Sequence, residues 1–255
     1  MSSSSTETQK TVKYQIKRQI TPDSEAYWEE FEVPWKPSLN IITLLMAQHE
    51  NPCTSSGHKT TPVSYDANCL EEVCGSCTMI INGKVRQACT ALVDQLEGTI
   101  TIEPLKKFPL VRDLMVDRSR MFDSLKWIKG WVPIDNTAPT GKGPLVPPAE
   151  QEKAYNFSRC MTCGSCLESC PQWSAEEGFI GPQAIAQAVL FNTHPTGKSL
   201  SDERVKALIE NGLNICGNAQ NCAAVCPKEV DLIGAISEAN WQATKYTAKQ
   251  FFGGR

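Results

Sequence analysis

Twelve cysteines in 255 residues, eleven of them in three tight groups, constrain this chain more than any other feature. The densest group is Cys160-Met161-Thr162-Cys163-Gly164-Ser165-Cys166-Leu167-Glu168-Ser169-Cys170-Pro171. Its spacing, C-x2-C-x2-C-x3-C-P, is that of cysteine-ligated iron–sulfur clusters in which the fourth cysteine serves a second cluster. Such a run needs a partner run. Cys216, Cys222 and Cys226-Pro227 supply it at the same spacing, with Ala219 where the second cysteine would stand. Crossing the ligands gives one cluster Cys160, Cys163, Cys166 and Cys226, and leaves the other Cys170, Cys216 and Cys222. Four thiolates suit a [4Fe–4S] cube. Three suit a [3Fe–4S] cluster, and a fourth iron capped by water fits the same count.

The remaining group is Cys69-Leu70-Glu71-Glu72-Val73-Cys74-Gly75-Ser76-Cys77, followed by Cys89. C-x4-C-x2-C with a distant fourth cysteine is the plant-type order for a [2Fe–2S] cluster. One short loop must wrap the cluster, and Gly75 allows a close backbone approach. A structural zinc site also takes four thiolates on C-x2-C knuckles and stays open for this group read alone. Three knuckle cysteines in close succession, as in the Cys160 run, crowd a tetrahedral zinc.

A net charge of −3 offers no general attraction to nucleic acid. Residues 1–13 are polar and lack the apolar segment of a secretory signal, and no apolar run is long enough to span a bilayer. The expected setting is a reducing cytoplasm, where clustered cysteines mean metal. Membrane contact is expected only through a partner.

The Ser/Thr-rich residues 1–10 are expected to be disordered. Val12, Tyr14 and Ile16 alternate with polar residues as in a half-buried strand, with Trp28 to Val33 its hairpin partner. Ser38 is placed to cap a helix from Leu39 to Gln48, with Ile42, Leu45 and Met46 on its inner face. Asn82-Gly83 is a hairpin turn between Thr78–Ile81 and Lys84–Ala88, and Thr99–Glu103 is a further strand. The pattern predicts a helix opened by Pro109 and running through Leu110, Leu114, Met121 and Leu125, with Arg112, Arg118 and Arg120 on a solvated side or paired with Asp113 and Asp117. Residues 133–150, rich in proline and glycine, read as a linker. Helical spacing recurs near 182–192, 201–211 and 231–250. The expected fold is α+β: residues 11–115 a β-grasp [2Fe–2S] ferredoxin-like domain, 116–150 a connecting helix and linker, and 151–255 an all-α domain like bacterial ferredoxin holding two clusters.

Taken in order, the three cysteine groups resemble the iron–sulfur subunits of succinate dehydrogenase and fumarate reductase. Val111-Arg112-Asp113-Leu114 and Phe179-Ile180-Gly181-Pro182 resemble segments of the same family, and the resemblance covers nearly the whole chain. It implies a relay of [2Fe–2S], [4Fe–4S] and [3Fe–4S] clusters. It implies a flavoprotein partner carrying FAD, which does the succinate chemistry, and a membrane cytochrome b anchor at the cytoplasmic face of the bacterial inner membrane. Gly217 follows Cys216 where ubiquinone-linked members have His, and only Trp173 remains of a tryptophan pair. That departure is similar to the menaquinone-linked branch, whose anchor carries haem b. Pro171 and Trp173 are candidate quinone-proximal residues. Fumarate reductase is the same machine run in reverse. The cluster subunit of another flavin-linked oxidoreductase, such as a glycolate oxidase or heterodisulfide reductase, is a further alternative, as is a zinc-stapled interaction module.

Some residues carry less. His49, His58 and His194 stand alone and read as surface or packing residues, and Cys53 as a packing thiol. Trp127 and Trp131 are expected to pack or to line a subunit interface. Glu71 and Glu72 are a solvated acidic loop, a docking contact, or a source of negative charge that lowers the potential of the adjacent cluster.

Overall fold

The computed structural model describes residues 10–133, 145–174 and 178–253. All but the last residue of the expected tail 1–10 and most of the linker 133–150 therefore lie outside the described residues. The chain divides into two compact units, 1–117 and 118–255.

In the first unit β1 (Thr11–Arg18) pairs antiparallel with β2 (Tyr27–Pro34). Val12, Tyr14 and Ile16 point into the core, as the alternation requires. Helix α1 (Ile41–Glu50) follows, then the hairpin β3 (Thr78–Ile81) and β4 (Lys84–Gln87), and β5 (Ile100–Glu103). The sheet order is β2-β1-β5-β3-β4, with β5 parallel to β1. One core joins the inner faces of these strands to Ile41, Ile42, Leu44 and Leu45 of α1. Asn82 and Gly83 both have positive φ, the left-handed pair that a two-residue hairpin needs.

Two local expectations fail here. The α1 cap is Asn40, whose side chain accepts from the Thr43 amide at 2.9 Å while the Thr43 hydroxyl accepts from the Asn40 amide. Ser38 has φ +62° and stands outside the helix, and Met46 is exposed, the inner face being Ile41, Ile42, Leu44, Leu45 and Gln48.

Residues 109–117 are not helical. They form a small hairpin, β6 (Leu110–Arg112) and β7 (Met115–Val116), turning at Asp113 with φ +49°. A buried ion pair overrides the helical periodicity. Arg18, fully buried, donates from Nε to Asp113 at 2.9 Å and from Nη1 to Glu29 at 2.5 Å. Asp113 also accepts from the amides of Ser64 and Gln19. A buried guanidinium without these carboxylates would be costly, so the turn is held where its carboxylate can serve.

The second unit opens with α2 (Ser119–Trp127), much shorter than the predicted helix. Then come α3 (Pro148–Ser158), the one-turn α4 (Ser165–Glu168), α5 (Pro182–Thr193), α6 (Ser201–Glu210), the one-turn α7 (Asn221–Ala224) and α8 (Leu232–Gly253). Helix α5 is the centre of the unit, packing against α3, α6 and α8. The expected solvated face of arginines is also corrected. Arg118 donates to the Cys163 carbonyl, and Arg120 donates to the Ser174 carbonyl while lying 4.5 Å over the Trp173 ring. Trp127 and Trp131 are half-exposed.

Candidate metal centres

The first centre is built almost entirely from one loop. Leu70, Glu72 and Gly75 all have positive φ, which curls the chain around Cys69 and Cys74. The Cys69 sulfur accepts from the amides of Val73 and Cys74 at 3.3 Å, and the Cys74 sulfur accepts from the Cys69 amide at 3.5 Å. The β3–β4 hairpin returns the chain so that Cys89 comes beside Cys77, both buried. Behind them Gln87 and Thr78 hydrogen-bond to each other, and Thr78 ties back to the Gly75 carbonyl at 2.8 Å. The four thiols differ electrically. Burial alone would raise the Cys74 thiol, but hydrogen bonds from Ser76 and Cys69 outweigh it and bring it down to about 6. Burial, then the neighbouring Cys77, push the Cys89 thiol up to about 12.

The second centre is a small cavity whose walls include Cys160, Cys163, Cys166 and Cys226. Burial raises the Cys160 and Cys166 thiols, and mutual repulsion among the cysteines of this cavity adds to it. Thr162 and Gly164, both at positive φ, turn the loop between the first three. The Val230 amide donates to the Cys226 sulfur at 3.4 Å. Gln183, 1% exposed, lines the same cavity, and among the described residues neither its amide nitrogen nor its amide oxygen has a hydrogen-bond partner.

The third centre is a small cavity lined by Cys170, Cys216 and Cys222, with Ala219 on its wall. The Cys222 thiol is raised by burial and then by Cys170 and Cys216. Helix α5 starts between the two cavities: Pro182 borders the third centre and Gln183 the second. Its N-terminal partial positive charge favours anionic groups in both. Gly181, at φ +96°, precedes it where any side chain would strike Leu167 and Trp173.

The donor sets fit iron–sulfur clusters. Burial raises Cys89, Cys160, Cys166 and Cys222, and buried thiols of this kind, grouped with others, are held as thiolates by bound cations. Gln183 is an orphaned polar group facing one such void.

The other sequence candidates separate. Pro171 lines the three-cysteine cavity, whereas Trp173 does not: it is 2% exposed beneath Arg120. Cys53 is half-exposed beside Asn51, and it is not among the residues lining either cavity. His58 bonds to Ser56, and His194 accepts from the Gly197 amide. Sequence reasoning missed Gln183 altogether. Its only signal was a polar residue on the inner face of an apolar helix.

A family model described as a 2Fe-2S iron-sulfur cluster binding domain matches residues 13–123, and one described as a 4Fe-4S dicluster domain matches residues 156–230. The chain is 53% identical over 246 residues to the succinate dehydrogenase iron-sulfur subunit of Bacillus subtilis (strain 168), spanning 96% of this chain and 97% of that protein. It is 33% identical over 240 residues to the fumarate reductase iron-sulfur subunit of Haemophilus influenzae, spanning 88% and 89%. A chain of the Mycobacterium smegmatis Sdh1 complex in the apo form shares the fold, with a TM-score of 0.76 at 20% identity over 93% of this chain and 97% of that one.

Proposed function

The chain belongs to the iron–sulfur subunits of succinate dehydrogenase and fumarate reductase, and from that premise we propose how its residues carry electrons. It is the electron-transfer subunit of an oxidoreductase complex, with one domain of [2Fe–2S] type and one of [4Fe–4S] type. We assign Cys69, Cys74, Cys77 and Cys89 to the [2Fe–2S] cluster. Cys160, Cys163, Cys166 and Cys226 hold the [4Fe–4S] cube, and Cys170, Cys216 and Cys222 the [3Fe–4S] cluster. We place the first domain at residues 11–115 and the second at 151–255, with 116–150 between them, of which α2 packs with the second unit.

When bound, the clusters take up and release electrons one at a time, which is how a two-electron oxidation of succinate on a flavoprotein is divided for a membrane quinone. We place FAD and the acid–base chemistry on that flavoprotein. We place haem b and menaquinone with a cytochrome b anchor at the cytoplasmic face of the cell membrane. Among the described residues no helix is long and apolar enough to cross a membrane, so this chain's hold on it is taken to run through the anchor. The residues of this chain hold sulfur ligands, shield them from water and aim amides at them. Val73, Cys74 and Val230 donate to ligand sulfurs through their backbone, which stabilises the thiolates. Pro171 is assigned to the quinone-proximal rim, and Trp173 to the packing behind it.

The observation that supports this reading is that Cys160, Cys163, Cys166 and Cys226 line one cavity while Cys170, Cys216 and Cys222 line another, with Ala219 on the wall of the second. The test is Ala219→Cys. The purified wild type should contain about nine iron atoms and show a [3Fe–4S] EPR signal when oxidised. The variant should lose that signal as a fourth iron binds. Zinc in place of iron, or a [3Fe–4S] signal unchanged by the new thiol, would overturn the ligand scheme. With the whole complex assembled, succinate-driven menaquinone reduction outpacing fumarate reduction supports the dehydrogenase direction, which the higher identity to a succinate dehydrogenase subunit favours.

A further inference from the structure

Gln183 is the second residue of α5, and its side chain is sealed from solvent while bordering the four-cysteine cavity. A primary amide brings two N–H donors and a carbonyl acceptor. Both ends of this one are without a partner among the described residues. Buried polar groups are nearly always paired, so an orphan facing a void points to something in the void. The void is walled by the sulfurs of Cys160, Cys163, Cys166 and Cys226. The group that suits Nε2 there is a sulfur bearing negative charge.

We infer that Gln183 donates a hydrogen bond from Nε2 to a sulfur of the cluster in this cavity and thereby raises that cluster's reduction potential. The inference rests on the ligand assignment proposed above. One-electron reduction places added negative charge on the cluster, spread partly over its sulfurs. A donor aimed at one of them stabilises the reduced state more than the oxidised state. The first turn of α5 acts in the same sense through its partial positive charge. The cavity of Cys170, Cys216 and Cys222 has Pro182 at the equivalent place, which has neither an N–H nor a polar side chain to offer. The amide side chains that line this three-cysteine cavity, Gln172, Asn218, Gln220 and Asn221, come from outside α5.

Gln183→Met keeps the length of the side chain and removes the donor. In anaerobically purified holoprotein, an EPR-monitored redox titration should show the four-iron cluster harder to reduce by about tenfold in the equilibrium constant, close to 59 mV for one electron. Gln183→Glu should move it further in the same direction at neutral pH. The potential of the [2Fe–2S] cluster, in the same sample, should not move. An unchanged four-iron midpoint in Gln183→Met, with the EPR line shape intact, overturns the inference. Should that variant fail to assemble its cluster, wild-type protein labelled with 15N at glutamine side chains decides: hyperfine coupling of that nitrogen to the reduced four-iron cluster supports the bond, and its absence overturns it. Loss of any four-iron signal from wild-type protein would instead refute the ligand assignment.

Discussion

The Cys69 loop and the Cys160–Cys226 cavity both gather four thiols, but they do so by different means. The loop is local: three of its cysteines lie within nine residues, and the fourth returns over one hairpin. Its sulfurs are steadied by the loop's own amides, through residues in left-handed conformations. The cavity is assembled from two runs more than fifty residues apart and a helix lying between them in sequence. Its tuning comes from a side chain, Gln183, that belongs to neither run. A centre made by one loop can be read from spacing. A centre made by packing takes part of its chemistry from residues that no motif marks.

The sharpest way to break this comparison is Cys226→Ser. The cube in the second unit should be lost, while the [2Fe–2S] absorbance and EPR signal of the first unit persist, since the loop draws nothing from residue 226. Loss of all clusters together would show that the centres are not independent.

Next in size is a contrast within the loop itself, in cluster-free protein. Cys74, lowered to about 6, is a thiolate at pH 7, whereas Cys89, raised to about 12, is a protonated thiol. Iodoacetamide followed by mass spectrometry should label Cys74 faster by at least about a hundredfold, after allowing for the lower intrinsic nucleophilicity of the more acidic thiol. The Cys74 rate should fall as the pH drops below 6, because its thiolate is lost there.

A third test concerns the frame behind the loop. Asp113→Ala leaves the buried Arg18 short of its main partner and should destabilise the first unit by about 3–5 kcal/mol in chemical denaturation. The second unit, which contains neither residue, should melt as before.

The smallest effect is expected from Glu71→Gln with Glu72→Gln. Both lie on the exposed side of the loop, and Glu72 is held by the Thr90 hydroxyl at 2.8 Å. Removing their charge should make the [2Fe–2S] cluster easier to reduce by less than about threefold, shrinking as salt is added.

Where local rules agreed with packing, the sequence was legible. The alternation of Val12, Tyr14 and Ile16 became β1, Asn82-Gly83 became a hairpin, and Ala219 stands on the cavity wall where its place in the run put it. Where a long-range group intervened, local rules misled. Leu110 and Leu114 have helical spacing with Met121 and Leu125, yet the carboxylate of Asp113 is claimed by Arg18, ninety-five residues away, and the backbone turns to deliver it. Ser38 is a good capping residue in isolation, but Asn40 bridges to the Cys89 carbonyl at 3.0 Å and caps α1 instead. Arg120 reads as a surface cation and lies over Trp173.

By itself the order of the cysteines determined how eleven thiols fall into three groups and placed the chain in its family, because short-range spacing is a covalent fact of the chain. The tertiary structure alone decided what surrounds them: which cations are buried, which carboxylate answers Arg18, and that the amide of Gln183 faces sulfur rather than water. Those outcomes depend on burial, and burial is a property of the packed chain that no single stretch of residues contains.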